Sequence, residues 1–435
     1  MTVPRNVAVI GGGITGAVVA SELSKRSIPV VVFDQGRRGP GGRASHRSLF
    51  DKDSCNPLDK VRLVQGRDLE FDHGCQFFRA DTPVMQSLVK EWVRLGWAGR
   101  WKAHWKRLGD APKFFGLPDN DVSSVYVGVG GMHMISRELM DDSDNVQVVR
   151  GSRVRNVKMN AEGQWEIWHQ TGQAAYHDTP EKEAHTPARQ FQESFDAVVV
   201  TDASASQDTW HRASAGLPPD VVRQLPFLTR PRVPFFTCMV AIDEPIHEYL
   251  EAEAFVGDSP LWAAVYNESK PGLPKQGRTE CWTLVSTPDF AVQQIQETPM
   301  RDPETGAFRP QEDSYLNQVP GRLLYEAFSK AIQPFLPDEA VATAPRYLQA
   351  QRWGSGLPAP STDHCGDIVN VDGLEYVSQI KELVYPRPET DLKDFVACDE
   401  ERLFYAGDFC SHRCPGFEAA ALSGFDLAQH ILQSK

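Results

Sequence analysis

Val7-Ala8-Val9-Ile10-Gly11-Gly12-Gly13-Ile14-Thr15-Gly16 and, one helix further on, Pro29-Val30-Val31-Val32-Phe33-Asp34 decide the fold. Val7 to Ile10 is a short apolar run, Ile14 to Lys25 has helical spacing, and Pro29 to Phe33 is a second unbroken apolar run. Strands covered on both faces read as continuous apolar runs, so the segment is one βαβ unit with buried parallel strands. The glycines fall at the strand-to-helix turn, and each has a mechanical use. Gly11 permits the tight turn, Gly13 lets the backbone approach a pyrophosphate, and Gly16 lets helix and strand pack closely. Asp34 ends the second strand 18 residues after Gly16, where a carboxylate accepts ribose hydroxyls and disfavours a 2′-phosphate. A dinucleotide site follows, with FAD and NAD both open at this point.

The rest of the chain bounds that reading. Its 435 residues, 41% hydrophobic and 24% charged, suffice for two packed domains. A net charge of −13 gives no overall field for nucleic acid. The richest basic stretch, Arg94 to Arg107, interleaves Arg94, Arg100, Lys102, Lys106 and Arg107 with tryptophans at 92, 97, 101 and 105. We read it as an amphipathic helix with Trp inward and cations in water, in preference to a stacking surface for single strands. Eight scattered cysteines show neither a disulfide framework nor zinc-ligand spacing, so no metal is expected and a reducing, cytoplasmic setting is the default. No leader is expected at Met1 to Asn6, and no charge-free run reaches the length of a membrane span.

Along the chain, a polar excursion from Ser45 to Glu70 precedes Phe71-Asp72-His73-Gly74. Gly130-Gly131 introduces a helix ending near Met140, and the runs Val146 to Val149, Arg153 to Met159 and Trp165 to His169 predict an antiparallel meander. Ala174 to Gln190 reads as an insertion, and Phe195 to Val200 as an apolar strand leading to Thr201. Strands over Phe235 to Ile242, Leu261 to Tyr266 and Cys281 to Ser286, a polar insertion from Glu297 to Asn317 and a helix over Leu323 to Ile332 form a second domain. A strand over Arg402 to Tyr405 and a helix over Gly416 to Leu432 close the chain.

Three motifs bear on the cofactor. Gly41-Gly42-Arg43-Ala44-Ser45 resembles the G-G-R motif of flavoproteins related to monoamine oxidase and renalase. Asp72-His73-Gly74-Cys75-Gln76-Phe77-Phe78 resembles that superfamily's D-x-G-x-x-F segment, in the form closest to the renalase branch. Gly407-Asp408, followed by Gly416-Phe417-Glu418-Ala419-Ala420-Ala421-Leu422-Ser423-Gly424, resembles its C-terminal element. The resemblance covers roughly 3–78, 130–203 and 404–432. It implies an α/β fold in which an FAD-binding Rossmann-like (GR2-type) domain, 1–78, 125–215 and 355–435, interleaves with an α+β substrate domain, 79–124 and 216–354, carrying a mixed or antiparallel sheet. It also implies non-covalent FAD held by Gly11, Gly13, Ile14, Thr15, Gly16, Asp34, Gln35, Gly42, Arg43, Ala44, His73, Gly74, Gln76, Phe77, Val154, Thr201, Gly407, Asp408, Gly416, Phe417, Glu418 and Ala419.

The physics of the last element agrees. Unpaired N–H groups at a helix beginning near Phe417 would stabilise negative charge on a reduced flavin ring. The activity implied by resemblance is hydride transfer from a small-molecule substrate to flavin N5 with O2 as acceptor, the renalase branch oxidising dihydronicotinamide isomers. Amine oxidation and polyene desaturation are the alternatives within the superfamily; a flavin-binding sensor without turnover and an NAD-dependent dehydrogenase are the alternatives outside it. Oligomeric state does not follow. The flavin is the catalyst in this reading, with His412, Trp353 and Phe77 as side-chain candidates near it and Trp262 and Trp282 as further aromatics for a planar pocket. Lys270 and Lys275, in a Pro/Gly-rich turn, are given no role, Cys75 is read as packing, and a Cys410/Cys414 redox pair is disfavoured.

Overall fold

The computed structural model describes residues 3–36, 39–49, 69–108, 125–171, 190–202, 230–275, 279–300, 312–337, 344–360, 365–380 and 392–433. Two compact units emerge: Met1–Gly42 with His133–Arg230 and Val384–Lys435, and Arg43–Met132 with Pro231–Leu383.

The first unit is built on β1 (Val7–Ile10), α1 (Ile14–Ser24) and β2 (Val30–Asp34). Six strands run in the order Phe395–Cys398, Leu403–Ala406, Ala197–Val200, β1, β2, Val146–Arg150. All neighbours are parallel except the first pair. α1 is apolar nearly all round because it packs against both His133–Asp141 and the C-terminal helix Phe417–Gln433. On the other face, Ala8, Ile10, Phe33, Val198 and Tyr405 share a core with Val157, Trp165 and Ile167 of an antiparallel meander.

That meander differs from expectation at both ends. Val146–Arg150 joins the parallel sheet beside β2, and the meander consists of Ser152–Met159, Trp165–Thr171 and Gln190–Phe195. Gly151, at φ +61°, turns the chain from one sheet to the next, and a short run cannot disclose its partner by periodicity. Of the expected insertion, 172–189 lies outside the described residues, and Gln190 begins the third meander strand. The apolar strand expected over Phe195 to Val200 is interrupted at Asp196, where the chain changes sheets. Arg5 holds that carboxylate through Nε at 2.8 Å and Nη2 at 2.9 Å.

The second unit carries an eight-stranded sheet with the path Ile368–Val371, Leu374–Val377, Arg232–Ile242, Glu280–Ser286, Leu261–Tyr266, Ala254–Val256, Trp105–Arg107; the twelve-residue strand Tyr347–Pro358 also pairs with Arg232–Ile242. Arg232–Ile242 is apolar on both faces because both are covered. Phe236, Cys238 and Val240 meet helices Pro288–Glu297 and Arg322–Ile332, while Met239 and Ala241 meet Phe71 and Cys281. The excursion after Ser45 is entered and left by paired strands His46–Ser48 and Glu70–Asp72, with 50–68 outside the described residues. Of the stretch read as an insertion from Glu297, 301–311 is likewise outside, and Asp313–Leu316 is a short helix.

The stretch Arg94 to Arg107, expected as an amphipathic helix, is not one: the helix here is Pro83–Arg94 and stops where that stretch begins. Gly96 takes φ +80°, the left-handed geometry that terminates helices, and strands Ala98–Arg100 and Trp105–Arg107 follow. Trp101 is buried, its indole N–H donating to Ser269 Oγ at 3.1 Å. The tryptophans therefore do not share one helical face.

Candidate functional site

The turn between β1 and α1 is held by contacts that only glycine allows. A Cβ on Gly16 would lie 2.1 Å from Gly11 O, and one on Gly11, whose φ is +108°, would lie 2.6 Å from Thr201 Oγ1. The Thr201 hydroxyl in turn donates to the Ile10 and Gly11 carbonyls at 2.9 and 3.0 Å. At Gly13, the residue preceding α1, a Cβ would meet nothing nearer than Gly41 O at 4.0 Å, and no side chain caps the helix. The first N–H groups of α1 are thus left without a side-chain cap beside a residue that carries no side chain, as an anion site requires.

Asp34 sits behind this turn, accepting from Gly12 N at 2.7 Å and Gly36 N at 2.8 Å. Burial raises its pKa, and the two backbone donors pull it back down. Each oxygen retains a further lone pair for a ribose hydroxyl. The open helix start and the carboxylate behind it fit the pyrophosphate and ribose of a dinucleotide. Gly42 closes against Gly13, its φ at +54°.

The C-terminal helix enters the same unit through Gly407, Asp408 and Gly416. Gly407 N donates to Ser423 Oγ at 2.8 Å, and Ser423 donates to Asp394 O. A Cβ on Gly424 would lie 2.6 Å from Thr15 O, and Thr15 Oγ1 donates to Ala420 O at 2.9 Å. Ser423 and Gly424 therefore have packing duties, a reason the sequence alone did not supply. Asp408 and Ala419 are buried, Phe417 nearly so, and Gly416 has φ +141° with nothing near its Cβ position. Glu418 lies in the helix's first turn. Gln35 follows Asp34 at the surface side of the strand, and Val154 lies in the meander core.

His412 is tethered through its backbone N–H to Asp394 Oδ1 at 2.7 Å. No disulfide joins Cys410 and Cys414. Burial pushes the Cys410 thiol well above its ordinary value, the wrong direction for a reactive thiolate.

In the second unit the stretches 43–49 and 69–77 lie against each other. Arg43 O accepts from Cys75 N at 2.7 Å and would lie 2.2 Å from a Cβ on Gly74. Ala44 is buried in the short turn Gly42–Ala44. His73 stacks on Trp353, centroids 5.6 Å apart, and its carbonyl accepts from Trp353 Nε1 at 3.0 Å and Thr237 Oγ1 at 2.7 Å. Phe77 packs with Trp101 and Trp105 at 6.3 and 5.7 Å. Trp282 is plain core beside Tyr266 and Phe328, and Trp262 packs on Phe235. Burial raises the Cys75 thiol to about 11, consistent with packing.

Sequence reasoning missed the charge cluster beneath this segment. Lys270 is wholly buried, its Nζ 2.9 Å from Asp72 Oδ2 and 3.2 Å from Gln76 Oε1 and over the Trp101 ring at 5.6 Å, whereas Lys275 is exposed. Asp72 Oδ1 accepts from Met132 N at 2.8 Å and lies 2.9 Å from His46 Nδ1. Burial alone would raise the Asp72 pKa, but the Lys270 charge and the His46 contact outweigh it and hold the carboxyl far down. Burial would likewise lower His46, yet hydrogen bonds and charge from Asp72 and Glu70 carry it up to about 9. Gln76 spends both N–H groups on the Asp72 and Gly74 carbonyls. Nothing local in the sequence pairs residues 194 and 198 positions apart; a charged residue inside D-x-G-x-Q was the one available signal.

A family model for an NAD(P)-binding Rossmann-like domain matches residues 9–92. The chain carries a Rossmann-like dinucleotide-binding domain. Over nearly full length it is similar in fold to an oxidoreductase from Methanosarcina mazei, with TM-score 0.54, 10% identity, and 99% of this chain and 100% of that one covered. Wild-type putrescine oxidase bound to putrescine gives 0.52 and 10%, with 99% of both chains covered. A provisionally named protoporphyrinogen oxidase from Exiguobacterium sp. 255-15 gives 0.54 and 10%, again with 99% of both covered. At such identity the likeness is one of fold: mixed α/β with several sheets. No described helix is long and apolar enough to cross a membrane, and no cluster of metal-ligating side chains occurs among the described residues.

Proposed function

We propose that this protein is an FAD-dependent oxidoreductase that binds its cofactor without a covalent bond and oxidises a small planar substrate, a dihydronicotinamide isomer in the manner of the renalase branch. The observation that carries the cofactor assignment is the uncapped start of α1 with the Asp34 carboxylate fixed behind it. Gly11, Gly13, Ile14, Thr15 and Gly16 would hold the pyrophosphate, and Asp34 the ribose hydroxyls. Bound FAD would supply the hydride acceptor, with O2 reoxidising it to give H2O2. The first turn of the C-terminal helix, Phe417 to Ala419, would place positive N–H dipoles toward developing negative charge.

In the second unit, the half-buried Trp353, stacked on His73, and the half-buried Trp105, edge-on to Phe77, supply flat apolar surface of the kind a nicotinamide-like ring needs. Lys270, paired with Asp72 and bonded to Gln76, fixes the segment that carries His73 and Phe77. An amine is the second reading, favoured by the likeness to putrescine oxidase.

The deciding experiment is the visible spectrum of the purified protein, followed by anaerobic mixing with NADH preparations containing the 2- and 6-dihydro isomers. A flavin band near about 450 nm that bleaches and recovers in air with peroxide release is the expected result. A yellow protein bleached by putrescine and not by the isomers moves the assignment to amines. A colourless protein that cannot be reconstituted with FAD rejects the flavoenzyme reading.

A further inference from the structure

The strand Tyr347–Pro358 slips register against Arg232–Ile242 between the pairs Phe235↔Trp353 and Val233↔Leu357. Pro234 alone therefore faces Gly354, Ser355 and Gly356, a bulge opposite a residue with no N–H to offer. Arg352 stands at the edge of this bulge. Its Nε and Nη1 are shielded from solvent and have no hydrogen-bond partner among the described residues. A desolvated guanidinium nitrogen without an acceptor is costly, and native structures rarely leave one so unless something else pairs with it.

Within the bulge, Ser355 Oγ accepts from Arg232 Nη1 at 2.9 Å, which leaves its hydroxyl proton to donate. A methyl group placed on Gly354 would lie 3.7 Å from Arg352 Nε and 4.0 Å from the Tyr376 hydroxyl, so the missing side chain keeps the space between them clear. Burial also holds the Arg232 guanidinium below its ordinary pKa, the mark of a cation kept from water. Guanidinium nitrogens with hydroxyl donors beside them match an oxyanion, which a planar guanidinium binds through paired N–H groups.

We propose that the Gly354–Gly356 bulge is an oxyanion-binding subsite, in which Arg352, across Gly354 from the Tyr376 hydroxyl, pairs with the carboxylate or phosphate group of a small-molecule ligand. The subsite lies wholly in the second unit, and because Arg43, one of the residues given to the cofactor, donates to Gly356 O at 3.1 Å, retained cofactor is followed in the test.

The test titrates inorganic phosphate, and separately acetate, against the purified full chain with whatever cofactor it retains, reading thermal stabilisation and calorimetric binding. One anion or both should stabilise the wild type, with Arg352→Gln weakening the effect at least about tenfold, as loss of a charge-assisted hydrogen bond predicts. The anion that responds identifies the group recognised. Gly354→Val, which fills the approach while keeping the arginine, should weaken it comparably. Without added anion, Arg352→Gln should melt no lower than wild type, because no protein partner is lost. No response to either anion in the wild type, an equal response in both variants, or loss of retained cofactor in Arg352→Gln would overturn the proposal.

Discussion

Asp34 and Lys270 are both charged and both buried, yet substitution should affect them differently. Asp34 is held by backbone donors, Gly12 and Gly36, and its pKa is raised by burial. Asp34→Ala removes the anchor of the glycine turn together with the proposed ribose acceptor. FAD affinity should fall by about 10- to 100-fold, read by flavin fluorescence titration, with a smaller effect on folding. Lys270 instead neutralises Asp72 where neither touches water. Lys270→Met leaves Asp72 an uncompensated buried charge apart from His46, and should cost about 3–5 kcal/mol in denaturant unfolding. A loss under 1 kcal/mol, or about that, would show that Asp72 takes up a proton and that the pair is dispensable.

At the level of elements, two helices cross through a glycine. α1 and the C-terminal helix approach so closely at Gly424 that a Cβ there would meet Thr15 O at 2.6 Å. The atom is backbone and cannot rotate away, so the helices must separate. Gly424→Val should destabilise by about 1–3 kcal/mol or more, seen as a lowered thermal midpoint. Valine at Gly373, where nothing lies within 4 Å of the Cβ position, makes an instructive contrast: there the φ of +75° strains the chain instead of the packing. α1 itself was legible because its apolar residues and glycines are local signals. The helix predicted over Arg94 to Arg107 does not form, since Gly96, just past the helix Pro83–Arg94, sits at a turn whose left-handed geometry outweighs the apolar spacing of the tryptophans.

For the whole molecule, pH dependence follows from His46. Its folded pKa, about 9, stands above the ordinary 6.5, so its contribution is fully present below pH 6.5 and is lost as pH rises through about 9. Thermal stability should therefore decline over that window, and His46→Gln should flatten the decline; an unchanged slope would place the loss elsewhere. Asp72, whose pKa is depressed, contributes above the ordinary carboxylate range and loses its contribution only in strong acid. The βαβ unit, the glycine turn with Asp34 and the alternation of apolar strands were determined by sequence alone, because each rests on contacts within about thirty residues and on periodicities that burial imposes. Tertiary structure alone decided that Val146–Arg150 joins the parallel sheet, that Asp196 marks a change of sheet under Arg5, that Lys270 belongs to Asp72 and Gln76, and that Arg352 Nε and Nη1 are buried without a hydrogen-bond partner among the described residues. Those outcomes depend on which distant groups share a desolvated space, and a buried charge is defined by that company, not by its neighbours in the chain.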